Sequence, residues 1–116
     1  MPNLRRAALQ FLAAYYIGTG LWPLVSRRAF EAVTGPKVDW WLVQMVGLLA
    51  ATIGTSIAAG TREKRPSPAV YTLAVLSALS FAGIDVVHAA RRRISPIYLG
   101  DAAVELAVVA TLILAP

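Results

Sequence analysis

Four stretches of this chain are apolar over roughly the length of a membrane crossing, and they leave little sequence for anything else. Residues 7–26 and 40–61 contain no charged side chain. Residues 66–84 contain none either, and their apolar pattern runs on to about Ala90. The last stretch, 97–115, carries Asp101 and Glu105 in an otherwise apolar run. A membrane-crossing helix needs about 20 mostly apolar residues. The pattern therefore predicts an all-α, polytopic membrane protein: a four-transmembrane-helix bundle in one domain, with helices at about 4–25, 38–60, 68–90 and 97–115. Composition agrees. Of 116 residues, 58% are hydrophobic and only 15% charged, against about 25% charged in soluble domains. A soluble fold of this size has too small an interior to hide so much apolar surface.

The N-terminal MPNLRRAALQFLAAYY has the basic start and apolar run of a signal peptide. No small-x-small cleavage site with a mature domain follows it, so the segment is expected to stay as the first helix. Punctuation falls between the spans: GPK at 35–37, TREKRPSP at 61–68 and RRRISP at 91–96, with Pro36, Pro66, Pro68 and Pro96 at or before helix starts, where proline is tolerated. SRRAFEAVTG, between the first two spans, offers Ser26 as an N-cap and Gly35 as a stop. It suits either a short helix lying in the membrane interface or an irregular loop.

Several chemistries are excluded. There is no cysteine, hence no disulfide, thiol catalysis, iron–sulfur cluster or thiolate metal site. A single histidine, His88, rules out a bis-histidine haem within one chain. Phosphate-cradling glycine loops, HExxH and GxSxG are missing. The net charge of +5 sits in short clusters between apolar runs, which suits anionic lipid headgroups rather than nucleic acid.

Where the polar residues fall carries the functional information. With the side holding the N-terminus called A, successive spans place Asp39 and Gln44, Asp85 and His88, Asp101 and Glu105, and Tyr15, Tyr16 and Thr19 all towards side B. Asp101 and Glu105 are spaced i, i+4 and share a helix face; Asp85 and His88, at i, i+3, share another. Glu105 lies roughly 12 Å inside its helix and Asp85 roughly 7 Å before the end of its own. An ionisable group at mid-membrane costs about 2.5–3.5 kcal/mol on insertion scales. Several of them at one end predict a hydrated pocket opening to side B. Asp85, His88, Asp101, Glu105, Asp39, Gln44, Tyr15 and Arg92 are its candidate ligand- or proton-binding residues. Plainer roles compete: Asp39 as an interface residue beside Lys37, Asp101 paired with an arginine of the 91–93 run, and Trp22, Trp40 and Trp41 as an aromatic belt. No fixed spacing supports a metal site of His88 with these acids, and no cofactor is expected.

Gly47, Ala51, Gly54 or Thr55, and Ala58 form a small-residue stripe, suited to close packing in the bundle or to a homodimer. Lys and Arg number 5 on side A and 6 on side B, so the positive-inside rule does not orient the chain; the expectation retained is both termini in the cytoplasm.

FEAVTGPKVDWWLVQMVG and IDVVHAARRRISPIYLGDAAVEL resemble segments of small, uncharacterised bacterial four-helix inner-membrane proteins, and the layout is similar to that of the DoxX-like group. The resemblance implies a multi-pass protein of the bacterial inner membrane. Three functions stay open: binding or transport of a small ligand or protons, with Glu105 and Asp85 as the titrating groups; an acid–base enzyme on a lipid or isoprenoid, using Asp85 or Glu105 with His88; and a scaffold whose acids are tied up by arginines.

Overall fold

A computed structural model describes residues 3–116. The described chain is all α-helix: α1 (Leu4–Val25), α2 (Arg27–Thr34), α3 (Trp40–Gly60), α4 (Pro68–Ala90) and α5 (Tyr98–Leu114). Local chemistry sets the ends. Asn3, Ser26 and Ser67 each accept a bond from the backbone N–H three residues on, capping α1, α2 and α4. Gly35 ends α2 at φ 95°, a conformation open to glycine because it has no Cβ. SRRAFEAVTG is thus a two-turn helix rather than an irregular loop, and Ser26 and Gly35 bound it.

Three helices, α1, α3 and α4, are long and apolar enough to cross a membrane. Four such helices were expected. The fourth, α5, has 17 residues, or about 25 Å of helix, against a hydrocarbon core of about 30 Å. The expected second span also begins later, at Trp40. Val38, 94% exposed, lies outside the helix.

The helices pack as two close pairs, α1 on α3 and α4 on α5, joined mainly where α1 meets α5. The first pair crosses glycine on glycine. A Cβ on Gly20 would strike the Gly47 carbonyl, and one on Gly47 would strike the Gly20 carbonyl. The buried stripe of α3 is Gly47, Ala50, Gly54 and Ile57. It keeps Gly47 and the Gly54 alternative of the predicted stripe, with Ala50 and Ile57 in place of Ala51 and Ala58 and with Thr55 exposed, and it is spent on α1. At side A, Arg6 of α1 donates to the carbonyls of Thr61, Glu63 and Lys64 (2.8 Å to Glu63 and 2.5 Å to Lys64). A cation there suits the negative end of the α3 dipole. Leu9, Leu12, Tyr16, Ile57, Ala74, Val108 and Leu112 fill the centre. Leu48, Leu49, Leu76, Ile84, Leu106 and Ile113 point outwards and are exposed, as expected of a bundle whose solvent is hydrocarbon.

Candidate functional site

The space between the two helix pairs is open at the side-B end. It forms a cavity of about 660 Å³, within the range of small-molecule sites. Its walls are mainly apolar: Trp22 and Pro23 from α1, Phe30 and Val33 from α2, Val43, Val46 and Ala50 from α3, Phe81 from α4, and Ile97, Tyr98 and Val104 from α5 and its approach. The polar residues at its inner end are Tyr15 and Tyr16 from α1, Asp85 from α4, and Asp101 and Glu105 from α5.

Geometry ties these five together. One oxygen from each of Asp85, Asp101 and Glu105 lies within 4.8 Å of the other two. Tyr16 Oη donates to Glu105 Oε1 at 2.5 Å, and Tyr15 Oη donates to Asp101 Oδ1. Neighbouring tyrosines on α1 reach acids one turn apart on α5, because the i, i+4 spacing stacks the two carboxyls on one face. Phe81 closes one side, its ring centroid 5.4 Å from that of Tyr16. Glu105 is completely buried and Asp85 is 5% exposed. Yet Glu105 Oε2 and Asp85 Oδ2 have no hydrogen-bond partner among the described residues. Buried acceptors without donors are uncommon in folded proteins and costly.

No arginine or lysine neutralises the cluster. The only salt bridge among the described residues is Arg27–Glu31, on α2. Two carboxylate charges 4.8 Å apart repel by about 3 kcal/mol at an effective dielectric of 20. Three charges so placed have to be balanced by protons or by a bound cation. The donor set is hard oxygen, the type that Mg²⁺, Ca²⁺ or Mn²⁺ prefers, and these three acids are the residues that would hold such an ion.

No protein-family model, curated protein or solved structure matches this chain. The site therefore has to be read from its own chemistry.

Of the residues singled out in the sequence, Tyr15, Asp85, Asp101 and Glu105 meet at the cavity's inner end, and the other four lie elsewhere. His88 sits outside the cavity lining, and its Nδ1 is 3.4 Å from Arg93 Nη1. Three residues along a helix is a rotation of 300°, which turns His88 about 60° from Asp85 and one turn further out. Gln44 is exposed, rotated about 100° from the cavity-lining Val43. Asp39 is exposed ahead of α3 and makes no side-chain cap bond. Arg92 is exposed, with φ 58° in the turn after α4.

Tyr16 and Lys37 belong to the site and were not among the sequence candidates. Both had a signal. Tyr16 is a hydroxyl in mid-helix, and Lys37 is the one basic residue of the turn between α2 and α3. Lys37 Nζ donates to the Thr34 carbonyl at 2.8 Å and lies 5.2 Å from the Tyr98 ring centroid, bracing α2 over the cavity. Edge-on contacts of Phe30 with Trp22 (5.2 Å) and Trp40 (6.0 Å) hold α2 in place, and Arg27 stacks on Trp40 at 4.6 Å. Beneath them Glu31 accepts from the Lys37 backbone N–H at 2.7 Å and from Arg27 Nε at 3.1 Å. The Lys37 N–H, assisted by Arg27, holds the Glu31 carboxyl below the usual carboxylate range.

Proposed function

We propose that this chain is a multi-pass protein of the bacterial inner membrane whose task is to bind a small ligand with an apolar body and a polar head. The ligand enters between the helix pairs, its body against Phe30, Val43, Val46 and Phe81, its head on the carboxyl cluster. One observation carries the reading: a largely apolar cavity ends on buried carboxyl oxygens that the protein leaves without donors. Transport of the ligand or of protons is an extension of the same binding step, and a dimer of the chain would supply the further helices that alternating access uses.

The competing readings are less well supported. An acid–base enzyme using His88 loses its histidine, which faces Arg93 instead of the acids. A scaffold with acids tied up by arginines requires ion pairs to Asp85, Asp101 or Glu105, and none occurs among the described residues.

In this proposal α5 is the fourth crossing helix, its deficit of length made up by local thinning of the bilayer. Both termini then lie on one side, the cytoplasmic one. Reporter fusions at the two termini decide it: like signals support four crossings, and opposite signals mean three.

Binding is tested in nanodiscs with naphthylmethanol, a neutral aromatic probe. Saturable binding that alters Trp22 fluorescence is expected, and Val43→Trp, which fills the cavity from α3, should abolish it. Binding that never saturates, or that matches empty nanodiscs, refutes the reading.

A further inference from the structure

We infer that the polar head of the ligand is an organic cation bearing N–H donors, a protonated amine, and that its entry displaces a proton from the carboxyl cluster. The inference rests on the cavity being a ligand site and adds what sort of ligand it takes.

Charge comes first. The groups facing the inner end are Asp85 from α4, Asp101 and Glu105 from α5, and Tyr15 and Tyr16 from α1, while α2 and α3 contribute apolar side chains and Thr34. Tyr98 lines the cavity mouth. The single basic residue lining the cavity, Lys37, sits there too, engaged with the Thr34 carbonyl and the Tyr98 ring. An anionic head would meet acids and no counter-charge. A cation would meet the opposite.

Hydrogen bonding narrows the head further. Tyr15 and Tyr16 have spent their hydroxyls on Asp101 Oδ1 and Glu105 Oε1. Glu105 Oε2 and Asp85 Oδ2 remain, both buried, both acceptors without donors. Once a carboxyl among them is ionised, a ligand that satisfies its bared oxygen has to donate. An ammonium nitrogen lies about 2.8 Å from each carboxylate oxygen it bonds, so it can bridge two oxygens up to about 5.6 Å apart. One oxygen from each of the three acids lies within 4.8 Å of the others, so an ammonium can bridge a pair of the acids.

The wall chemistry separates an organic cation from a bare metal ion. Trp22, Phe30, Phe81 and Tyr98 line the cavity with aromatic side chains, which suit an organic ammonium and complement an apolar body. A hydrated divalent ion gains nothing from them.

Balance then fixes the exchange. Without a ligand, protons shared among the three carboxyls offset their charge. When a protonated amine binds, its own N–H bonds take over that role. One O–H of a carboxyl gives up its proton to solvent, the resulting carboxylate pairs with the ammonium, and the charge of the pocket is unchanged. No bond other than the O–H is broken.

The test uses four matched probes on the full chain in nanodiscs: naphthylmethylamine, its trimethylammonium analogue, naphthylmethanol and naphthylacetate. The amine should bind at least about tenfold tighter than the alcohol, the trimethylammonium should fall below the amine for want of N–H donors, and the acetate should bind least. Calorimetry in buffers of different ionisation enthalpy should show about one proton released per amine and none for the alcohol. Amine affinity should rise by about tenfold per pH unit where release is complete. Glu105→Gln, with the helical circular dichroism of the native chain, should remove the amine preference and the proton release, and Asp85→Asn offers the same reading should the Gln variant fail to fold. Equal affinity for amine and alcohol, or amine binding without proton release, overturns the inference and leaves the cavity reading standing. Mn²⁺ binding with proton release while the amine shows no preference also overturns it. Failure of every probe to bind overturns the cavity reading itself.

Discussion

Substituting Gly54 by alanine adds one methyl group at the α1–α3 crossing, and the structure says what that methyl meets. A Cβ at Gly54 would lie 2.7 Å from the Ala13 carbonyl oxygen, 3.0 Å from Ile17 Cγ1 and 3.0 Å from Tyr16 Cβ. Comfortable contact between such atoms is about 3.5–4.0 Å. The helices must therefore part by roughly half an ångström or more, and a gap of about 0.5–1 Å already forfeits a quarter to a half of each contact's attraction. Overpacking of this kind costs about 1–3 kcal/mol. Alanine's better helix propensity returns up to about 1 kcal/mol, so the net expectation is a loss of about 1–2 kcal/mol. Gly18 supplies the control. It lies in α1, and a Cβ there has nothing within 4 Å, so Gly18→Ala keeps the propensity gain and should be neutral to stabilising by up to about 1 kcal/mol. Reversible unfolding in mixed micelles of rising SDS fraction, followed by circular dichroism, measures both. The reasoning is refuted if Gly54→Ala is as stable as the native chain, or if the two variants shift stability in the same direction by the same amount. A second readout follows from Tyr16, whose Cβ is one of the atoms struck: its bond to Glu105 should lengthen, and ligand binding should weaken along with stability.

Three further outcomes are expected. Tyr16→Phe leaves Glu105 Oε1 buried without its donor, which should cost about 1–3 kcal/mol in the same unfolding assay, whereas Tyr71→Phe, which breaks no bond of this cluster, should not. Arg6→Ala removes the donor that serves three carbonyls beyond α3; a loss of about 1–2 kcal/mol is expected, with faster amide exchange confined to the side-A end. Because the Glu31 carboxyl is held below its ordinary range, its contribution is fully present above the unfolded value of about 4.3 and is lost as pH falls through the lower folded value. Acidification should therefore loosen α2, seen as a change in Trp22 and Trp40 fluorescence, and Glu31→Gln should remove that pH dependence.

The sequence reading reached some of this and missed the rest for identifiable reasons. Helix positions were legible because most of the charge lies between or at the ends of the apolar runs and Ser26 is a good cap. That acids cluster at one end was legible from alternating helix direction alone, and this brought out Asp85, Asp101, Glu105 and Tyr15. Rotation was not legible. In helices apolar on every side, periodicity does not say which face meets a neighbour, so Gln44 and His88 shared an end with the cluster without sharing its face. The small-residue stripe on α3 was half legible: Gly47 and the Gly54 alternative lie on the buried face, while Ala50 and Ile57 take the places expected of Ala51 and Ala58. Tyr16 was placed at the same end but left off the candidate list, since a phenol on an apolar helix can pack with its hydroxyl on a carbonyl, and its partner lies 89 positions away.

Tyr15–Asp101 and Tyr16–Glu105 are the only side-chain hydrogen bonds between α1 and α5 among the described residues. They sit on the seam where one close-packed helix pair meets the other. The glycine crossing packs α1 on α3 far more extensively than α1 packs on α5, so the seam is the looser of the two contacts. The two phenol bonds occupy adjacent residues of one helix and successive turns of the other. The carboxyls that would receive a ligand thus also carry the polar contacts between the two helix pairs, and a change in their charge acts on those contacts as well.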